Sequence, residues 1–130
     1  MKLRSLENMA VLLENTAETV GVVKKGVIGD DFRLAYVVVE TLSGEAGIIR
    51  AVDLKLGPRA VVIFDPACIK SYAHGEESSM YDRKIGDNLF NADGEELGIL
   101  SDFVIDPEKK WVKGVEVSAG VFKDMLEGRK

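Results

Sequence analysis

The chain is poor in the residues that staple, break or activate a fold. Its 130 residues include one cysteine, one histidine, one tryptophan and three prolines. A lone Cys68 excludes an internal disulfide, and one Cys with one His falls short of any structural zinc set. Charged residues interrupt every hydrophobic run before it reaches the length of about 18 that a spanning helix needs, so no transmembrane helix is expected. The opening Met1-Lys2-Leu3-Arg4-Ser5-Leu6-Glu7 has a basic pair but no apolar stretch or small-residue cleavage site behind it, and a cytoplasmic location is the expectation. A strong charge of one sign is missing too: 17 basic and 22 acidic residues leave a net charge of −5. Without a positive field, nonspecific nucleic-acid binding is not expected.

What is present fits a globular domain: 46% hydrophobic and 30% charged residues, in a chain long enough to bury about two-thirds of its unfolded surface. Residues 1–75 contain nine basic and nine acidic residues, whereas residues 76–130 contain eight and thirteen, so the second part carries the whole excess. Lys24-Lys25 and Lys109-Lys110 are pairs, not clusters, and are expected as solvated strand or turn positions.

The polar, small-residue run from Ala73 to Ser79 reads as a linker, which gives a first unit over 1–73, a linker over 74–80 and a second unit over 81–130. The two sides repeat each other. A shift of 77 residues, without a gap, places Leu12 on Leu89, Glu18 on Glu95, Gly21 on Gly98, Val27-Ile28 on Val104-Ile105, Leu34 on Trp111 and Val38 on Val115. The matches fall on apolar strand positions and a turn glycine, so a duplicated supersecondary unit is expected.

Each unit reads as short strands separated by turns. In the second, Asn88-Leu89-Phe90 precedes the Asp93-Gly94 turn, then Leu97–Leu100, Phe103–Ile105, the Asp106-Pro107-Glu108-Lys109 turn and a strand over 111–117. Gly98 within the strand pattern indicates a bulge or a close backbone approach. The first has the same order and continues through strands at 46–50 and 60–64, with one helical turn near 51–55. A second helix candidate is Val121 to Glu127. The expected fold is all-β, two tandem small antiparallel units with the second incomplete. An open edge on the incomplete unit invites pairing, so self-association, as a homodimer, is also expected.

The run from Ile85-Gly86-Asp87-Asn88-Leu89-Phe90 through Asp93-Gly94-Glu95, Leu97-Gly98 and Asp102 to Ile105-Asp106 resembles the opening of a PRC-barrel domain, and Val112 to Val117 resembles its next strand. The first copy is similar but has Asn15-Thr16-Ala17-Glu18 in place of the Asp-Gly-Glu turn. The resemblance implies small β-barrels acting as interaction or assembly modules. Through the ribosome-maturation members of that fold, it also admits an accessory role in RNA processing or ribosome maturation.

No catalytic constellation is evident. His74 reads as an exposed linker residue, and Cys68, with Ala67 and Ile69 beside it, as a buried small hydrophobe. Asn91-Ala92-Asp93-Gly94-Glu95-Glu96 offers oxygen ligands, but its glycine is misplaced for an EF-hand and its flanks are strands, so it reads as a hairpin turn. Asp102 and Asp106 stand four apart, too far for a working carboxylate pair. Gly26-Val27-Ile28-Gly29 lacks the helix that a phosphate loop needs. Trp111 reads as a barrel-core plug through its match to Leu34, or else as an exposed anchor. Phe122, Met125 and Leu126 of the amphipathic tail join it as candidate partner-binding residues, or else that tail caps the incomplete unit. The functional expectation is a non-catalytic protein-binding or assembly module without cofactor or metal. A small-molecule or metal-binding regulatory protein is a further alternative, and it would need a polar pocket between the copies.

Overall fold

The computed structural model describes residues 1–71 and 84–118. Ten strands run through it: β1 (Ala10–Leu13), β2 (Thr19–Ile28), β3 (Leu34–Thr41), β4 (Ala46–Arg50), β5 (Leu54–Leu56), β6 (Ala60–Ile63), β7 (Lys70–Ser71), β8 (Asn88–Phe90), β9 (Glu96–Ile105) and β10 (Val112–Ser118). Three 3-10 turns lie wholly within these residues, Leu3–Leu6, Ala51–Asp53 and Pro66–Cys68. The architecture is all-β, as the dense β-branched runs dictate: Val and Ile fit a pleated, half-buried surface and give up rotamer freedom in helices.

The strands form a seven-stranded sheet, in the order β5-β6-β1-β2-β3-β4-β7, and a three-stranded sheet, β10-β9-β8. Neighbours pair antiparallel with one exception. β1 and β6 run parallel over four residue pairs, Ala10 with Ala60 through Leu13 with Ile63, where alternation alone led to an antiparallel expectation throughout. The segments Leu97–Leu100 and Phe103–Ile105, read separately from the sequence, are one continuous strand, β9.

Leu3, Leu6, Val11, Val23, Ile28, Leu34, Val37, Val39, Ile49, Val61 and Ile63 pack with Leu100, Phe103 and Ile105 of β9 in one apolar cluster. Both sheets therefore share a core. The segment proposed as a linker, 74–80, lies outside the described residues, as does the helix candidate at Val121 to Glu127.

The first turn, Leu3–Leu6, clasps the two sheets together. Lys2 bridges to Val104 of β9, and the Ile105 N–H donates to the Met1 carbonyl at 2.6 Å. Leu3 and Leu6 press on Gly26 of β2, where an added Cβ would sit 2.8 Å from a methyl of each. Gly98 marks a second close approach: its φ is +138°, and a Cβ there would lie 2.8 Å from the Ser118 carbonyl oxygen.

β2 and β9 have the same length and start 77 residues apart. Beyond the following turn the correspondence slips by one residue. Ile28 pairs with Leu34 and Ile105 with Val112; Gly26 pairs with Val37 and Phe103 with Val115. Val112 therefore takes the place of Leu34, and Val37 rather than Val38 matches Val115. The cause is the β9–β10 turn, which is one residue longer than the β2–β3 turn.

Candidate interaction site at the junction of two hairpins

The turns between β2 and β3 and between β9 and β10 meet tip to tip. In the first, the Gly29 N–H donates to the Arg33 carbonyl at 2.8 Å, the Phe32 N–H to the Gly29 carbonyl at 3.0 Å, and the Arg33 N–H to Oδ1 of Asp31 at 3.2 Å. In the second, the Asp106 N–H donates to the Trp111 carbonyl at 2.9 Å and the Lys110 N–H to the Asp106 carbonyl at 2.7 Å. Oδ1 of Asp106 accepts from the N–H groups of Glu108 and Lys109, both at 2.9 Å. The Lys109 N–H is the main reason the Asp106 carboxyl is held below its usual range. Phe32 and Lys110 each end their turn in the left-handed region, at φ +63°.

The two tips are bonded to each other. Arg33 and Trp111 form an isolated antiparallel bridge. On either side of it the Leu34 N–H donates to the Lys110 carbonyl at 2.7 Å and the Val112 N–H to the Phe32 carbonyl at 3.0 Å. The Phe32 ring packs edge-on against Phe103 of the core, with centroids 6.2 Å apart.

Around this bridge sits a cluster of aromatic and cationic side chains. Trp111 is 39% exposed, whereas Leu34 is 3% exposed. The core-plug expectation for Trp111 is thus corrected: the extra turn residue hands the inward position to Val112, which packs against the core. Lys109 Nζ lies 4.8 Å from the indole centroid and the Arg33 guanidinium carbon 5.9 Å from it, so two cations from two turns lie over one ring. Phe32, at 42%, and Val52, at 80%, are exposed as well. Arg33, Val52, Glu108, Lys109 and Lys110 line a cleft of about 200 Å³ here.

Lys110 departs from the solvated position expected of it. Its ammonium donates to the carbonyls of Ala51 at 2.6 Å and Leu54 at 2.5 Å, which satisfies the 3-10 turn before β5 and fastens the β9–β10 turn to the larger sheet. Burial lowers its pKa below the usual lysine value, partly offset by the Asp53 carboxylate.

A second polar group ties the N-terminus down. Asp102 is 1% exposed; its carboxylate accepts from the N–H of Phe103 at 2.7 Å and of Arg4 at 3.2 Å, with the Arg4 guanidinium 3.4 Å away. Glu116 accepts from Arg4 and from the Ser101 hydroxyl, both at 2.9 Å, and pairs with Lys2. The hydrogen bond from Lys2, ahead of that from Ser101, holds the Glu116 carboxyl below its usual range. This arrangement was not anticipated; the i,i+3 spacing of Leu3 and Leu6 was its one sequence signal. Asp102 and Asp106 serve separate backbone sites and do not pair with each other.

The remaining candidates sort as follows. Cys68 is half-buried and packs against the core as a free thiol. Asn91 Oδ1 accepts from the N–H groups of Asp93 and Glu95, both at 2.9 Å, which makes 91–96 a hairpin turn. His74, Phe122, Met125 and Leu126 lie outside the described residues. Among the described residues, no three His, Cys, Asp or Glu side chains gather where they could hold a metal ion, and no helix is long and apolar enough to cross a membrane.

The curled sheets and shared core define a small barrel-like β protein. A family model for the PRC-barrel domain matches residues 77–129, so the stretch carrying β8, β9 and β10 belongs to the PRC-barrel domain family. No curated protein matches the chain.

Proposed function

We propose that this chain is a non-catalytic protein-binding or assembly module of the cytoplasm, with Trp111 as its anchor. The observation that carries this reading is the exposed indole, held by a bonded junction of two turns with two cations over it. Large aromatic side chains beside arginine dominate binding energies at protein interfaces, because they bury much area at little entropic cost. In this reading the β2–β3 and β9–β10 hairpins are two copies of one unit, and their tips form the binding face. The test is affinity capture from native lysate at physiological salt, with the wild-type chain and Trp111→Ala immobilised in parallel. Retention of a protein by the wild type and its loss from the variant supports the module. Identical retention on both surfaces contradicts it.

Self-association belongs to the same proposal. The outer edge of β3 is covered by β4 through five residue pairs, whereas the outer edge of β10 carries no strand among the described residues. Val115 and Val117 are exposed along it. A second copy pairing there extends the three-stranded sheet across both molecules. Light scattering at micromolar concentration should give about twice the 14.2 kDa chain mass, and a mass near 14.2 kDa rejects the pairing.

A further inference from the structure

We propose that the Arg33–Trp111–Lys109 cluster docks an acidic protein segment carrying a large apolar side chain. This rests on the protein-binding reading above and names the chemistry of the partner.

The charges around the junction are unevenly committed. Asp31 and Asp106 spend a carboxylate oxygen on backbone N–H groups of their own turns. Arg33 and Lys109 form no direct ion pair with a carboxylate among the described residues; both lie over the indole ring, and Lys109 also acts on the Asp106 carboxylate through space. A cation over an aromatic face keeps its outward N–H donors free while its position is restricted, so it is prepared for a carboxylate arriving from solvent. Two such cations come from separate turns, and the indole they share, with Phe32 and Val52 exposed nearby, offers an apolar surface. The cleft of about 200 Å³ beside them has room for one side chain rather than a cofactor. The backbone bonds between the tips, and the Lys110 ammonium fixed on Ala51 and Leu54, hold the face in place before a partner arrives. That lowers the ordering cost of binding.

Charge also separates the possible occupants. A phosphodiester strand brings an anion at every unit, and Asp30, Asp31, Asp106 and Glu108 occupy the same two turns in a chain of net charge −5. A peptide can set one or two carboxylates at the cations and apolar groups elsewhere. Glu108 lines the cleft and competes with an incoming carboxylate.

Trp111 is the sole tryptophan, so intrinsic fluorescence of the full chain reports on this site directly. The probe is a short synthetic peptide of glutamates around one phenylalanine, titrated at low salt. A saturable change in emission is expected. Arg33→Gln and Lys109→Gln, which leave the backbone bonds intact, should each weaken it about two- to fivefold, the size of an exposed ion pair. Glu108→Gln should tighten it. No saturable change overturns the proposal, and so does an equal response to a peptide with lysines in place of the glutamates. An equal response to a short oligothymidylate overturns it in favour of a nucleic-acid occupant. If lysate capture still depends on Trp111 while the acidic peptide fails, the acidic partner is refuted and the module stands. If Trp111-dependent capture fails as well, the module reading is refuted too.

Discussion

Arg33 and Trp111 face each other across the junction of two hairpin turns, each turn donating one N–H to the other: Leu34 to Lys110 and Val112 to Phe32. The turns thereby act as one rigid platform. The side chains of the bridged pair remain outside it, stacked together at the surface.

This separation of backbone and side-chain roles predicts unequal costs for two truncations. Leu34→Ala removes a buried side chain from the core and should cost about 2–5 kcal/mol. Trp111→Ala leaves the backbone bridge in place and removes a partly exposed ring, so it should cost less than half as much. Urea unfolding of both variants checks this; a larger loss for Trp111→Ala contradicts the placement.

Asp102 is a structural carboxylate. Asp102→Ala leaves the N–H groups of Arg4 and Phe103 without their acceptor in a closed site, at a cost of about 1–3 kcal/mol. Hydrogen exchange of the variant should rise around Leu3–Leu6 and the end of β9, which that carboxylate joins. A neutral substitution means that water serves these donors equally well.

Two glycines at positive φ should respond differently to alanine. Gly98→Ala brings a Cβ to 2.8 Å from the Ser118 backbone oxygen, so β9 and β10 must separate, whereas Gly44 has open space within 4 Å. Gly44→Ala should cost about 1 kcal/mol from backbone conformation alone, and Gly98→Ala distinctly more. Thermal melts of the pair decide the order.

Acid should loosen the N-terminal clasp, through Glu116, and the β9–β10 turn, through Asp106. The carboxyls of Glu116 and Asp106 titrate below the usual range of about 4 in the folded chain, so the unfolded chain binds these protons more tightly. Their contribution is complete above the usual carboxylate range and is lost as pH falls through it to the lowered folded values. Glu116→Gln should flatten the pH dependence of stability between about pH 5 and pH 3 relative to wild type. An unchanged slope means that the Lys2 and Arg4 contacts do not persist in solution.

The strand content was legible because β-branched runs broken by Gly, Asp and Pro turns have few other solutions. The family was legible through the glycine and aspartate positions of β8 to β10. Register was harder to read. The gapless 77-residue shift holds from β2 to β9 but fails at the turn, because a four-residue loop replaces a three-residue one, and apolar residues on both sides hide the slip. The ungapped shift consequently sets Trp111 on the buried Leu34 position. Long-range contacts left still less trace. The Leu3–Leu6 turn beneath Gly26, the Lys110 ammonium on the Ala51 and Leu54 carbonyls and the parallel β1–β6 pair each join residues that local patterns treat separately.

Everything functional here depends on an accessible indole at the hairpin junction, and acrylamide quenching of the full-length chain measures that accessibility directly. The account predicts emission partly quenched in the native protein, with quenching intermediate between free tryptophan and a core residue, and altered intensity in Lys109→Gln. Blue-shifted emission that acrylamide does not reach would contradict it.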